Sequence, residues 1–181
     1  MVKKMAEEYT KEEYAVRVKK LHEQARYLRG RFLNHVAAIE REIGVILTTY
    51  FCTADEAKQE LFFEGVAERL SLQRKKEILI DIVKVDYPRY WDDNKEILNS
   101  LEDIQALRNK LAHSVVDVSD EALARPIEEG VGFVQWKEGR PITDEEFDDY
   151  EVKANMVFGA LKEIPQLLPF KEKPDELNQG G

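Results

Sequence analysis

Hydrophobic residues recur at three- and four-residue intervals along most of this chain. Tyr14, Val18, Leu21, Ala25 and Leu28 form the first series, and Phe32, Val36, Ile39, Ile43, Ile46, Leu47 and Tyr50 continue it to "YFC". That is the period of an amphipathic helix, not of a strand. Thr10 and Glu13 have the spacing of a capping box and start this helix, while Gly30 marks a bend or break in it. Thr53 and Glu56 repeat the box and open a helix with Ala57, Leu61, Phe62, Val66 and Leu70 inward. Ser71 caps the next helix, whose inward residues are Ile78, Leu79, Ile82 and Val83. "DYPRYW" interrupts, because Pro88 disfavours helix in the residue before it. A fifth helix is expected from about Asp93 to Ser114, with Ile97, Leu101, Ile104, Leu107, Leu111 and Val115 as its stripe.

The pattern changes after Ser114. "VVDVSDEALARPIEEG" is irregular, and "VGFVQWKEGRPIT" (residues 131–143) reads as a short β-hairpin around Glu138 and Gly139. Thr143 with Glu146 is a third capping box, starting a last helix with Phe147, Tyr150, Ala154, Val157, Phe158, Leu161 and Ile164 inward. Pro165 and Pro169 are expected to end it, and residues 171–181 form a polar, disordered tail. No internal repeat or linker divides the chain. The expected fold is all-α: a helical bundle in one domain, residues 1–170, with a small β-hairpin inserted before the last helix.

Composition narrows the function. Charged residues make up 35% and hydrophobic residues 43% of 181 positions, which suits a globular protein with its own core. No apolar run reaches the length of a membrane helix, and "MVKKMAEEYTKEEY" lacks a signal-peptide core. The lone Cys52 permits no internal disulfide and no zinc cluster, so a reducing cytoplasm is the expected compartment. The formal charge of −9 argues against strong nonspecific binding of nucleic acid. "QRKK" (residues 73–76) is the dense basic cluster of the interior, and acid collects in "TDEEFDDYE", whose "FDDYE" reads as a solvated face.

Candidate chemistry lies in "LEDIQALRNKLAHSVVDV", residues 101–118. Asn109 and His113 are four apart and share a helix face, with His113 nearly opposite the apolar stripe. Arg108 falls at the edge of the stripe, where its stem lies along apolar side chains while the guanidinium reaches out for an anion. Glu40 and Glu42 in "AIEREIG" are plausible carboxylate partners for it. All three polar residues also suit a helix C-terminus for purely structural reasons. An Arg-to-His spacing alone says little: composition predicts about 0.2 such pairs, and "RVKKLH" (Arg17 to His22) is a second one. Requiring Asn directly after Arg lowers the expectation to about 0.006, and residues 108–113 alone satisfy it.

"RNKLAH" resembles the Arg-Asn-x-x-Ala-His form of the motif of the HEPN superfamily, and the order of helices over roughly residues 30–115 is similar to those helical domains. The hairpin at 131–143 is not a general feature of that superfamily. The resemblance implies a metal-independent endoribonuclease, of the kind that serves as a toxin in toxin–antitoxin pairs or in antiviral defence. It also implies a homodimer in which two motif helices face one cleft. His113 would handle the proton of the 2′-hydroxyl or of the leaving oxygen, Arg108 would bind the scissile phosphate, and Asn109 would orient His113 or the phosphate. The residue types suit that chemistry, since RNA brings its own nucleophile and histidine titrates near neutral pH. No cofactor or metal is expected. The resemblance equally covers members that bind without cutting, so the alternative is a non-catalytic module that engages a regulatory protein or cognate antitoxin.

Other constellations are weaker. His22, His35 and His113 lack metal-ligand spacing, Ser114 beside His113 cannot form a triad, and no glycine-rich phosphate loop is present. Tyr87, Tyr90 and Trp91 can stack on bases, but a packed loop is the simpler reading. Cys52 reads as a small core residue.

Overall fold

The computed structural model describes residues 10–52, 55–126, 129–134 and 141–168. The fold is all-α with a small antiparallel sheet before the last helix. In order come α1 (Lys11–Cys52), α2 (Glu56–Gly65), a 3-10 turn (Ala67–Arg69), α3 (Leu72–Asp86), α4 (Pro88–Asn99) and α5 (Leu101–His113). Then follow β1 (Val115–Val116), α6 (Asp120–Ala124), β2 (Val131–Val134), β3 (Pro141–Ile142) and α7 (Asp144–Leu167). The sheet has the order β1-β2-β3, with Val115 opposite Val134 and Val131 opposite Ile142. A third strand therefore joins the expected hairpin. The Glu138-Gly139 turn, Thr53, Pro169 and the tail lie outside the described residues.

Local signals set most helix starts. Glu13 accepts from the Thr10 backbone at 2.8 Å, and Thr10 returns the bond by accepting from the Glu13 N–H at 3.2 Å. Ser71 accepts from the Arg74 N–H at 3.3 Å. Thr143 and Glu146 exchange both bonds, at 3.2 and 3.1 Å. Helix α2 instead starts at Asp55, whose carboxylate accepts from the Lys58 N–H at 3.1 Å.

Four expectations are corrected. Gly30 does not break α1, which runs unbroken through it. The helix expected from Asp93 is two: Pro88 sits at the first position of α4, where it lacks no needed N–H, and Ser100 separates α4 from α5. Leu98 rather than Ile97 is then fully buried, and Val115 is an exposed strand residue. Pro165 does not end α7, which continues to Leu167. Finally, α2 buries none of its residues: Leu61 is 73% exposed and Val66 43%. The 3-10 turn diverts the chain after α2, so Ala67 is buried instead and the Leu61–Val66–Leu70 stripe never aligns.

The described residues fall into two compact units. The first comprises residues up to 35 and 106–152. Its core includes Leu21, Leu28, Phe32, Leu107, Leu111, Phe133 and Phe147. The Phe32 ring meets Phe147 edge-on at 5.8 Å and Tyr150 at 6.3 Å. Arg31 pairs with Glu151, which is buried, so "FDDYE" is a solvated face at Asp148 and Asp149 only. That hydrogen bond from Arg31 holds its guanidinium pKa above the ordinary value.

The second unit comprises residues 36–105 and 153 onward. Ile39, Ile43, Ile46, Leu47, Leu79, Val83, Leu98, Leu101, Ile104, Val157, Leu161 and Ile164 form its core. Tyr87 and Tyr90 are buried at the start of α4, and Tyr90 donates to the Ala160 carbonyl at 2.5 Å. Neither ring is presented for stacking on bases. Burial, with the Glu163 charge, pushes the Tyr90 phenol up to about 12. No described helix is long and apolar enough to cross a membrane.

Candidate functional site

The candidate site is the last turn and a half of α5. Leu107 and Leu111 are buried at intervals that hold this turn against its core, which leaves Asn109, Ala112 and His113 exposed and Arg108 and Lys110 half-buried. His113 is the last helical residue. A cation there opposes the negative end of the helix dipole.

Arg108 Nη1 donates to Asn109 Oδ1 at 3.1 Å. Among the described residues no carboxylate pairs with this guanidinium. Asn109 therefore engages Arg108, whereas the sequence led us to expect it on His113 or a phosphate. The four-residue spacing still leaves Asn109 and His113 on one face.

Glu40 and Glu42 belong to the other unit and take lysines there. Glu40 pairs with Lys75 at 3.3 Å and Glu42 with Lys162 at 2.6 Å. Lys75 and Lys76 are themselves buried, and Lys76 bonds Glu102 at 2.6 Å. The basic cluster "QRKK" thus spends two of its charges inside the fold.

One residue of the site has no signal in the local sequence. Arg29 Nη2 donates to the Ser114 carbonyl at 2.8 Å, directly after His113, and its guanidinium lies 5.1 Å over the Phe133 ring. It joins α1, the end of α5 and β2. A carbonyl at a helix C-terminus lacks an intrahelical partner, and a guanidinium satisfies both the lone pair and the dipole. Residues 29 and 114 are 85 apart, so no periodicity links them. Among the described residues the buried Ser114 hydroxyl has no hydrogen-bond partner.

Among the described residues, no three His, Cys, Asp or Glu side chains gather as a metal-ligand set. His35 is half-buried in the first unit, its buried Nδ1 without a hydrogen-bond partner among the described residues, and His22 is half-buried on the same helix. Chemically, the turn offers an exposed imidazole, a guanidinium with no carboxylate on it among the described residues, and a neutral amide holding that guanidinium. No family model, curated protein or solved structure matches the chain.

Proposed function

We propose that this protein is a cytoplasmic, metal-independent endoribonuclease of the HEPN type, working as a homodimer in a toxin or defence role. The observation that carries the proposal is Arg108. Arg108 is half-buried, and its guanidinium is held by a neutral amide, so its charge is left for an anion. Arg31, on the same unit, is neutralised by Glu151.

In the reaction, the 2′-oxygen of RNA attacks phosphorus while the P–O5′ bond breaks, giving a 2′,3′-cyclic phosphate and a 5′-hydroxyl. His113 accepts the 2′-hydroxyl proton, and His113 of the partner subunit supplies one to the 5′-oxygen. One imidazole cannot do both at once, and two-fold symmetry supplies the second copy. Arg108 stabilises the charge that develops on the equatorial phosphate oxygens. Asn109 holds the fork of Arg108 in place.

The test is cleavage of RNA in EDTA by the wild type and by His113→Ala, with product ends identified. Cutting that leaves cyclic phosphate and vanishes in the variant is the expected result; a folded dimer that cuts none of several RNAs sinks the reading. A second reading, a non-catalytic module that binds an antitoxin or regulatory protein, is favoured by α2. That helix buries no residue, Leu61 stands exposed, and the 54% exposed Phe51 has its ring 5.7 Å from that of Phe62.

A further inference from the structure

Helix α2 covers one of its faces and leaves the opposite one in water. Phe63 turns inward: a Cβ on Gly44 of α1 would lie 3.2 Å from its Cε2 and 3.9 Å from the Ala67 Cβ. A side chain at Gly44 would crowd that ring, so glycine there lets α2 come close to α1. Leu61 precedes Phe63 by two residues, about 200° around the helix, and is 73% exposed. Ala57 and Gly65, four residues to either side of Leu61, are exposed as well. Phe62 carries the apolar band on toward the end of α1, where the ring of the exposed Phe51 stands 5.7 Å away. A single exposed leucine is ordinary. An exposed leucine and an exposed phenylalanine joined through a half-buried one make a patch, and patches mark interaction surfaces.

A row of charge runs beside the band. Glu56, Glu60 and Glu64 follow one another at four-residue intervals, and all are exposed. Among the described residues none of the three has an ion pair or a hydrogen bond from its side chain. Like charges at that spacing repel one another within the helix. Lys58, the cation of α2, does not relieve them, because it pairs with Asp55 at 3.0 Å. Residue 60 lies about 100° to one side of Leu61 and residue 62 about 100° to the other. The patch therefore has acid along one flank and aromatic rings along the other.

We propose that this face docks a cationic amphipathic helix of a partner protein. Its apolar anchors would sit on Leu61, Phe62 and Phe51, and its Lys or Arg flank on Glu56, Glu60 and Glu64. Helices bind such faces through anchors at i, i+3, i+4 and i+7, and charge along a flank selects partner and orientation. The acid row also rejects other occupants. An antiparallel two-fold pairing of α2 with a second copy sets acid row against acid row. A parallel pairing offers the row Lys58, which Asp55 already holds. Anionic lipid headgroups and RNA phosphates are repelled. The proposal does not depend on the ribonuclease reading.

The test titrates the full chain, followed by NMR, with two synthetic peptides of about 15 residues, long enough to hold a helix. One has leucine at helical spacing and lysine elsewhere; the other has glutamate in place of lysine. The lysine peptide alone should move the amide signals of Phe51, Glu60, Leu61 and Glu64, and its affinity should fall with added salt. Leu61→Ser should weaken binding at least about fivefold. Glu60→Gln combined with Glu64→Gln should weaken it about two- to thirtyfold. All three residues are exposed, so these variants keep the fold. Equal binding of both peptides, shifts confined to other parts of the chain, unchanged affinity in the variants, or no binding overturns the proposal. So does a wild-type dimer in sedimentation that Leu61→Ser dissociates, since a second copy then holds the face. None of these readouts involves RNA cleavage, so the nuclease reading stands or falls separately.

Discussion

Arg31 and Arg108 are both guanidinium groups at the edge of an apolar face, and their neighbours assign them different work. Glu151 accepts from Arg31 and Asp148 lies 3.9 Å away, so that charge is consumed in joining α1 to α7. Arg108 has a neutral amide for a neighbour. Lysine at 108 would keep the charge but lose the planar fork, and we expect Arg108→Lys to lower the cleavage rate by about 10²- to 10³-fold. Single-turnover assays would check this; a lysine variant that cuts as fast as wild type would exclude a bidentate role. His113 is exposed, so His113→Ala should cost under about 0.5 kcal/mol of stability while abolishing cleavage. Phe32 is the opposite case. It is fully buried between Phe147 and Tyr150, and Phe32→Ala should cost about 3–5 kcal/mol in denaturant unfolding.

At the scale of elements, caps and turns decide where helices begin and how the sheet is tied in. Thr143 caps α7 through its hydroxyl, which accepts from the Glu146 N–H; Thr143→Ala should cost about 1 kcal/mol, visible as a lower melting temperature. Gly130 has φ 101°, in the left-handed region, and a Cβ there would sit 2.3 Å from the Ile142 carbonyl oxygen. Gly130→Ala should therefore cost more than about 1 kcal/mol and loosen the pairing of β2 with β3. Amide exchange at Val131 no faster than wild type in that variant would contradict the account. The end of α5 has a comparable anchor in Arg29, whose bond to the Ser114 carbonyl fixes the residue after His113.

For the whole molecule, charge and pH are the informative variables. The protein carries −9, and Lys75 and Lys76 are buried in ion pairs, so contact with RNA should involve few phosphates. A plot of log affinity against log salt should be shallow, with a slope below about 2 in magnitude; a steep slope would reveal a basic surface that the described residues do not supply. Alkaline stability is set in part by Tyr90. Its phenol is raised to about 12 in the folded state, against 10 in an exposed chain. Between those values the unfolded chain has lost the proton and the folded one has kept it. Stability from this group is therefore intact below pH 10 and falls as pH rises toward about 12. Tyr90→Phe should flatten that part of the alkaline unfolding curve.

What the sequence determined by itself is what interactions within four residues can decide. Helical periodicity put Leu107 and Leu111 inside and His113 outside, and the capping boxes at Thr10 and Thr143 form as their spacing requires. Those outcomes need no knowledge of the rest of the chain. Ser100 dividing α4 from α5 was not legible, because the apolar spacing of Ile97, Leu101 and Ile104 runs straight across it. Nor were the fates of the charges. Glu40 finds Lys75 across 35 residues, Glu42 finds Lys162 across 120, and Arg29 finds Ser114 across 85. Burying a charge is tolerable only beside its counter-charge, and which counter-charge stands there is set by how helices far apart in sequence pack. Tertiary structure alone therefore occupied Glu40 and Glu42 with lysines and left Arg108 with Asn109.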